Sequence, residues 1–374
     1  KDENWRGWVD SNGNKKIDSG ELVKGYVPMT GADVIIPTQS NAVRYPHIID
    51  EHSHYPMTIN YEAHHCRNIY FGPGAHFQNQ HLLQYEKAYV DMVVPATKWN
   101  LMASPLKNMY TGDFFVPHSG TYDKGGSSLE TSEYFNVGTF QGTRAWDAAY
   151  AFWLSFYNKD IVTRYEGGKD VTETATAEFC ESNSLIQPLE VGQGFQLLGF
   201  GPGDSMEEMI VRLPKPDERY SYFSPSGYET SSVAVPSREE AYRLAFTPTD
   251  NTMQITLTNG VESNAFVFGN PTLSYIDMRA LLADNEQFSS EFYYMQNDSW
   301  QSATVEVAAT SSDRYLPPMR SVMLKLRDGA TARTAQVALS TDHLTLNNSL
   351  KSKVASVMRA PQRDVMQEAE VMTI

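Results

Sequence analysis

Along most of the chain apolar side chains alternate with polar ones at a spacing of two, the period of a strand with one buried face, and long stretches at helical period are scarce. The pattern predicts strands at 34–37 (VIIP), 68–71 (NIYF), 88–94 (AYVDMVV) and 99–102 (WNLM). It predicts others at 195–199 (FQLLG), 209–213 (MIVRL), 242–246 (YRLAF), 253–258 (MQITLT), 265–268 (AFVF), 303–308 (ATVEVA) and 321–326 (SVMLKL). Asn259-Gly260 and Asp328-Gly329 follow two of these segments, and such dipeptides supply the positive φ angles of tight hairpin turns. Strands joined by hairpins are antiparallel, so the second half reads as a sandwich or jelly roll. One short helix is expected in NPTLSYIDMRALLADN, with Pro271 in its first turn and Ile276, Met278, Leu281 and Leu282 forming the apolar face. The run at 145–157 (AWDAAYAFWLSFY) has no clean period and suits a core segment, as strand or as helix.

The first 120 residues differ from the rest. Eight of the nine histidines fall there: His47, His52, His54, His64, His65, His76, His81 and His118. Short apolar segments in this part alternate with turn residues such as Gly72-Pro73-Gly74. The Gly, Ser and Thr-rich stretch 119–132 reads as an exposed loop or linker. The expected division is therefore an N-terminal β module at 1–120, a sandwich-like domain at 121–346, and a polar tail or linker to a following domain at 347–374. The overall class is all-β: stacked short β segments, then an antiparallel sandwich or jelly roll.

Composition narrows the function classes. The chain has 374 residues, 41% of them hydrophobic, enough to bury a core and more naturally two than one. A formal charge of −15 repels a polyanion, and no basic patch opposes it, so nucleic acid is not an expected partner. No apolar run reaches the roughly 20 residues of a membrane helix. Lys1 opens the sequence without a signal-peptide pattern, as expected of a processed mature protein or a piece of a longer one. Cys66 and Cys180 show none of the spacings of zinc or redox sites; they read as two buried thiols or, in an oxidising location, as a bridge.

The strongest local motif is DSNGNKKIDSGE, from Asp10 to Glu21. Oxygen-bearing side chains at Asp10, Asn12, Asn14, Asp18 and Glu21, with Ile17 at the apolar eighth position and Lys16 offering a backbone carbonyl, fit the Ca²⁺ loop of EF-hands. Position six is Lys15 rather than Gly, and the flanks do not read as helices. A surface loop rich in Asx turns is the competing reading. His52 with His54, and His64-His65 with Cys66, are of ligand type but match no metal signature. No carboxylate pair, GxSxG or phosphate-cradling glycine loop stands out, and Gly199-Phe-Gly201-Pro-Gly203 is interrupted by proline. Asp204-Ser205-Met206 fits a short signal for O-linked glycans in exported proteins of Bacteroides-type bacteria.

Several longer phrases occur in order: WRGWVDSN from Trp5, VPMTGADVIIPT, YPHI, CRNIYFGPGAHFQNQHLLQYEKAYVD, KWNLMASPLKNMYTGDFF, PLEVGQGFQLLGFG, FVFGNPTLSYIDMRALLADN and YLPPMRSVMLKL. This succession, from Trp5 to Leu326, resembles a repeated module of the very large exported surface proteins of Bacteroides-type bacteria, usually described as adhesins. The resemblance implies a secreted or cell-surface location, a surface protein or a glycan as partner, and neighbouring domains of the same longer chain. It implies no catalysis. Pro105-Leu106, Gly112-Asp113-Phe114 and Gly269-Asn270-Pro271 carry the family's most recognisable motifs and read as structural. The calcium-like loop stands where relatives often have an aromatic-rich segment, so the resemblance implies nothing about its ion. A glycan-binding or glycan-processing protein, with Tyr and Trp stacked on sugar rings, is the alternative.

Overall fold

A computed structural model describes residues 6–8, 22–24, 33–36, 65–72, 74–117, 134–136, 151–175, 178–200, 208–214, 219–223, 229–234, 240–306 and 314–345. The all-β expectation holds, and the described residues contain one α-helix, Met278–Asp284. The architecture is a succession of sheets packed face to face.

The outermost sheet has six strands in the order Val34–Ile36, His65–Phe71, Gln84–Pro95, Glu208–Leu213, Phe115–Pro117, Tyr134–Asn136. Its first three strands are parallel. Val34 lies opposite Ile69 and Ile69 opposite Ala88; one step on, Ile36, Phe71 and Val90 repeat the alignment. All six are buried, so like residues stack in rows across the sheet. Val90, Met92 and Val94 face the first core, yet Asp91 and Val93 on the opposite face are also buried. Burial on both faces explains the near-continuous apolar run AYVDMVV. Asp91 is accommodated because Arg212 sits directly across the antiparallel ladder and donates through Nε to Oδ1 (2.8 Å) and through Nη2 to Oδ2 (3.1 Å). A buried charge pair tolerates desolvation only with such two-point geometry.

The next sheet is ordered Phe179–Ser182, Ala151–Tyr157, Phe195–Phe200, Trp99–Met102. Phe152, Leu154, Phe156, Phe195 and Leu197 close the first core. From the other face Leu101, Tyr157 and the half-buried Phe179 meet Ala265, Val267 and Met323 of a third sheet. In the described part of the aromatic run, residues 151–157, the missing period is thus a strand buried on both sides. The third sheet, ordered Ala265–Gly269, Ser321–Leu326, Phe288–Gln296, Ser299–Thr304, turns Phe266, Phe268, Phe292, Val322 and Leu324 into a further core. That core is covered by the long pair Thr252–Ser263 and Ala332–Ser340, through Ile255, Leu257, Val337 and Leu339, and by Met278, Leu281 and Leu282 of the helix.

The first and second of these sheets both draw on residues before and after position 120, as does the core between them. Leu244 belongs to the first core and Phe246 to another, and Leu273 and Met319, later in the sequence, belong to the first again. Backbone meets backbone at the seam. Gly194 donates its N–H to the Val267 carbonyl (2.9 Å), and Gly269 donates to that of Gly192 (2.8 Å). A Cβ on Gly194 would lie 2.4–2.5 Å from Ser321 and Val267, and one on Gly269 would lie 2.4 Å from the Cβ of Ala103. Only glycine permits that approach.

Several expected features differ. Residues 242–246 form no strand: a turn leads into one isolated bridge, Leu244 to Leu106, because this segment pairs piecewise with its neighbours rather than along a ladder. Asn259-Gly260 makes no hairpin. The strand Thr252–Ser263 runs through it with an irregularity between Thr258 and Ser263 and pairs with Ala332–Ser340. Gly260 is there because its Cβ position lies 2.4 Å from the Asp160 backbone. Asp328-Gly329 does supply positive φ at both residues, 55° and 68°, but the turn carries the chain between sheets. The helix starts at Met278, with Asp277 accepting from the Arg279 N–H as its cap, and Pro271 lies seven residues upstream in a buried turn.

Candidate functional site

The polar residues of the phrases TGDFF and FGNP are internal. Asp113 is fully buried and accepts the Tyr110 N–H (2.9 Å), closing the short 3-10 turn Thr111–Asp113. Asn270 is also fully buried. Its Nδ2 donates toward the carbonyls of Ser274 (2.8 Å), Pro317 (3.0 Å) and Leu316 (3.1 Å), while Oδ1 accepts from Thr272 N–H (2.9 Å) and Oγ1 (2.8 Å). One amide therefore pins two separate chain segments.

The turn pinned by Asn270 supports a cleft. Leu273 donates its N–H to Gln80 Oε1 (2.7 Å), Ser274 donates its hydroxyl to the Phe77 carbonyl (2.9 Å), and Phe77 N–H donates to the Leu273 carbonyl (2.9 Å). These bonds dock 77–80 and place the 3-10 turn Gln80–Leu82 against the segment around Arg243. Between them lies a cleft of about 330 Å³ lined by Gln80, His81, Gln84, Tyr85, Arg243 and Thr247, with Leu83, Leu244 and Phe246 as apolar floor. The far wall is held by Ala245 N–H on the Pro105 carbonyl and Lys107 N–H on the Arg243 carbonyl, each 2.8 Å.

The cleft's polar groups have defined orientations. Because an N–H can donate only to the oxygen end of an amide, Leu273 fixes Gln80 with Oε1 toward the turn and Nε2 away from it. Gln80 is 2% exposed, and its Nε2 has no acceptor among the described residues. His81 packs edge-on against Phe246 at 5.9 Å, and its buried Nδ1 is likewise without a partner there. Burial holds the His81 pKa below the usual histidine value, so the ring is neutral at pH 7. Arg243 donates from Nη1 to the Tyr85 carbonyl (2.6 Å) and lies over the Tyr85 ring, 5.6 Å from its centroid. It has no carboxylate partner among the described residues. Tyr85 Oη accepts the Leu244 N–H (2.7 Å), and burial raises its pKa.

The residues expected to bind calcium, Asp10, Asn12, Asn14, Lys16, Asp18 and Glu21, lie outside the described residues, as do His47, His52, His54, His64, His118 and the Asp204-Ser205-Met206 triplet. The strands on either side of the calcium-like loop are described: Arg6–Trp8 pairs antiparallel with Leu22–Lys24, Trp8 opposite Leu22. The flanks are strands rather than the helices of an EF-hand. Among the described residues no three His, Cys, Asp or Glu side chains gather as a metal site. Cys66 and Cys180 are both free and buried, and burial lifts the Cys66 thiol to about 12. No helix among the described residues is long and apolar enough to cross a membrane.

Comparison of the chain with protein-family models, with curated proteins and with solved structures gives no match. Sequence reasoning did not find the cleft, whose members come from 80–85 and 243–247. The one available signal was two glutamines, a histidine and a tyrosine within QHLLQY, a phrase with too many polar residues for a strand buried on both faces.

Proposed function

We propose that this chain is a non-catalytic adhesion or structural module of an exported bacterial surface protein, working beside other domains of a longer chain and facing a surface protein or a glycan. The observation that supports this reading is the use made of the motif polar groups. Asp113 and Asn270 are turned inward onto backbone N–H and C=O groups, where they build the scaffold and reach no substrate. Incubation with a panel of polysaccharides and peptides tests it: no turnover is expected, and turnover abolished by a single carboxylate substitution overturns it.

A glycan-binding role is the second reading, and the cleft beside Arg243 favours it. The side chains of Gln84 and Thr247 each carry both a donor and an acceptor, the pairing that sugar hydroxyls require.

A further inference from the structure

We propose that the cleft between Gln80–Leu82 and Arg243–Thr247 binds a small hydroxylated carboxylate, a sugar acid of the hexuronate type, with Arg243 holding the carboxylate and the side chains of Gln84 and Thr247 taking its hydroxyls. This rests on the glycan-binding reading for the kind of ligand and on the cleft's own groups for its acidity.

Two observations carry it. The lining contains a cation and no carboxylate: Arg243 uses one N–H of its guanidinium on the Tyr85 carbonyl and has no acidic partner among the described residues. The carboxylate closest in sequence, Glu240, is engaged by Lys107 at 3.8 Å. A planar guanidinium fixed against an aromatic ring loses little further freedom when it takes a carboxylate in two-point fashion. Next, the remaining polar positions are neutral and bifunctional. Gln84 and Thr247 give and accept hydrogen bonds, which suits hydroxyls rather than a second charge.

Size and net charge set bounds. A cleft of about 330 Å³ sits at the small end of ligand sites, which run to about 1,000 Å³, and accommodates one sugar ring. The overall charge of −15 opposes an anion at long range, but at physiological salt that field is screened beyond about 8 Å, inside which Arg243 dominates.

Isothermal titration of the full chain with glucuronate, galacturonate and glucose tests the assignment. Saturable binding of at least one acid is expected, in the millimolar range, with glucose at least ~10-fold weaker and acid binding reduced in about 1 M salt. Arg243→Gln is expected to weaken the acid by ~10-fold or more. Should it fail to fold, the exposed Thr247→Val tests the same wall and is expected to weaken binding severalfold. Absence of saturable binding by both acids overturns the proposal. Equal binding of glucose and glucuronate overturns its acidic part and leaves the glycan-binding reading standing, as does acid binding undiminished in Arg243→Gln.

Discussion

Asn270 offers the sharpest test of how this fold is held. Replacing it with Ala removes hydrogen bonds to five protein atoms, but they are not equivalent. The Ser274 carbonyl can take the single Thr272 hydroxyl proton (2.9 Å) once Oδ1 no longer competes for it, and the Pro317 carbonyl still receives Arg320 N–H (3.3 Å). Thr272 N–H loses Oδ1, the partner it has at 2.9 Å, and the Leu316 carbonyl loses its side-chain donor. One stranded buried donor at about 1–3 kcal/mol, plus a weakened acceptor and a small void, gives an expected loss of about 2–4 kcal/mol. Asn270→Asp separates hydrogen bonding from size. It keeps Oδ1 for Thr272 but points a second anionic oxygen at the carbonyls of Leu316 and Pro317. Burial and those carbonyls raise the folded-state pKa of the new carboxyl above its unfolded value of about 3.9. The protonated form can donate, so the variant's deficit is smallest below the unfolded pKa and grows as pH rises through the folded pKa. Urea unfolding of parent and both variants at about pH 5 and about pH 8, compared at equal pH, reads this out as a shift in midpoint at constant slope. An Ala variant within ~0.5 kcal/mol of the parent, or an Asp variant whose deficit is the same at both pH values, would refute the reasoning.

Three further predictions follow from the same structure. Burial beside Tyr275, only partly offset by a hydrogen bond at Leu273, brings His76 down from 6.5 to about 4. Because the unfolded state takes up a proton first, up to about 3 kcal/mol of stability is lost as pH falls from 6.5 to 4, and His76→Gln should flatten the unfolding midpoint across that window. Gly269→Ala forces a Cβ against Ala103 at the seam and should cost about 1–3 kcal/mol in urea unfolding, and an unchanged midpoint would mean the two sheets can part freely there. For the calcium-like loop, whose flanking strands pair at Trp8 and Leu22, ion at about ten times its dissociation constant should add about 1.4 kcal/mol. Calorimetry should show that gain lost in Glu21→Ala, and a melting temperature of the unmutated protein indifferent to millimolar calcium returns the loop to a solvated turn.

Period-two alternation located most strands because burial on one face leaves that imprint, and 195–199, 265–268 and 321–326 were legible on it. Residues 151–157 are ambiguous for the opposite reason: a strand packed on both faces has no polar phase to read. Asn259-Gly260 misled because glycine answers two different demands. Local turn geometry was assumed, whereas Gly260 serves the close passage of Asp160, a contact about a hundred residues away along the chain that no local pattern records. The parallel rows through Val34, Ile69 and Ala88 were foreshadowed only as stacked short segments, since residue patterning does not fix strand direction. The cleft was illegible because Gln80 and Arg243 meet only after two cores have formed, and what distinguishes Gln80, the direction its amide faces, is imposed by Leu273.

The first core includes Leu244, Leu273 and Met319 beside residues from its own sheets. During synthesis its sheets are complete in sequence once Leu213 has been made, but its lid is not. At about 5–20 residues per second, the roughly hundred residues up to Met319 occupy about 5–20 s. Through that interval the apolar surface that awaits Leu273 and Met319 is open to whatever else can bind it. Chaperones that prefer incompletely folded chains would meet this protein in that state, with the segments up to Leu213 built and uncapped, until Met319 arrives.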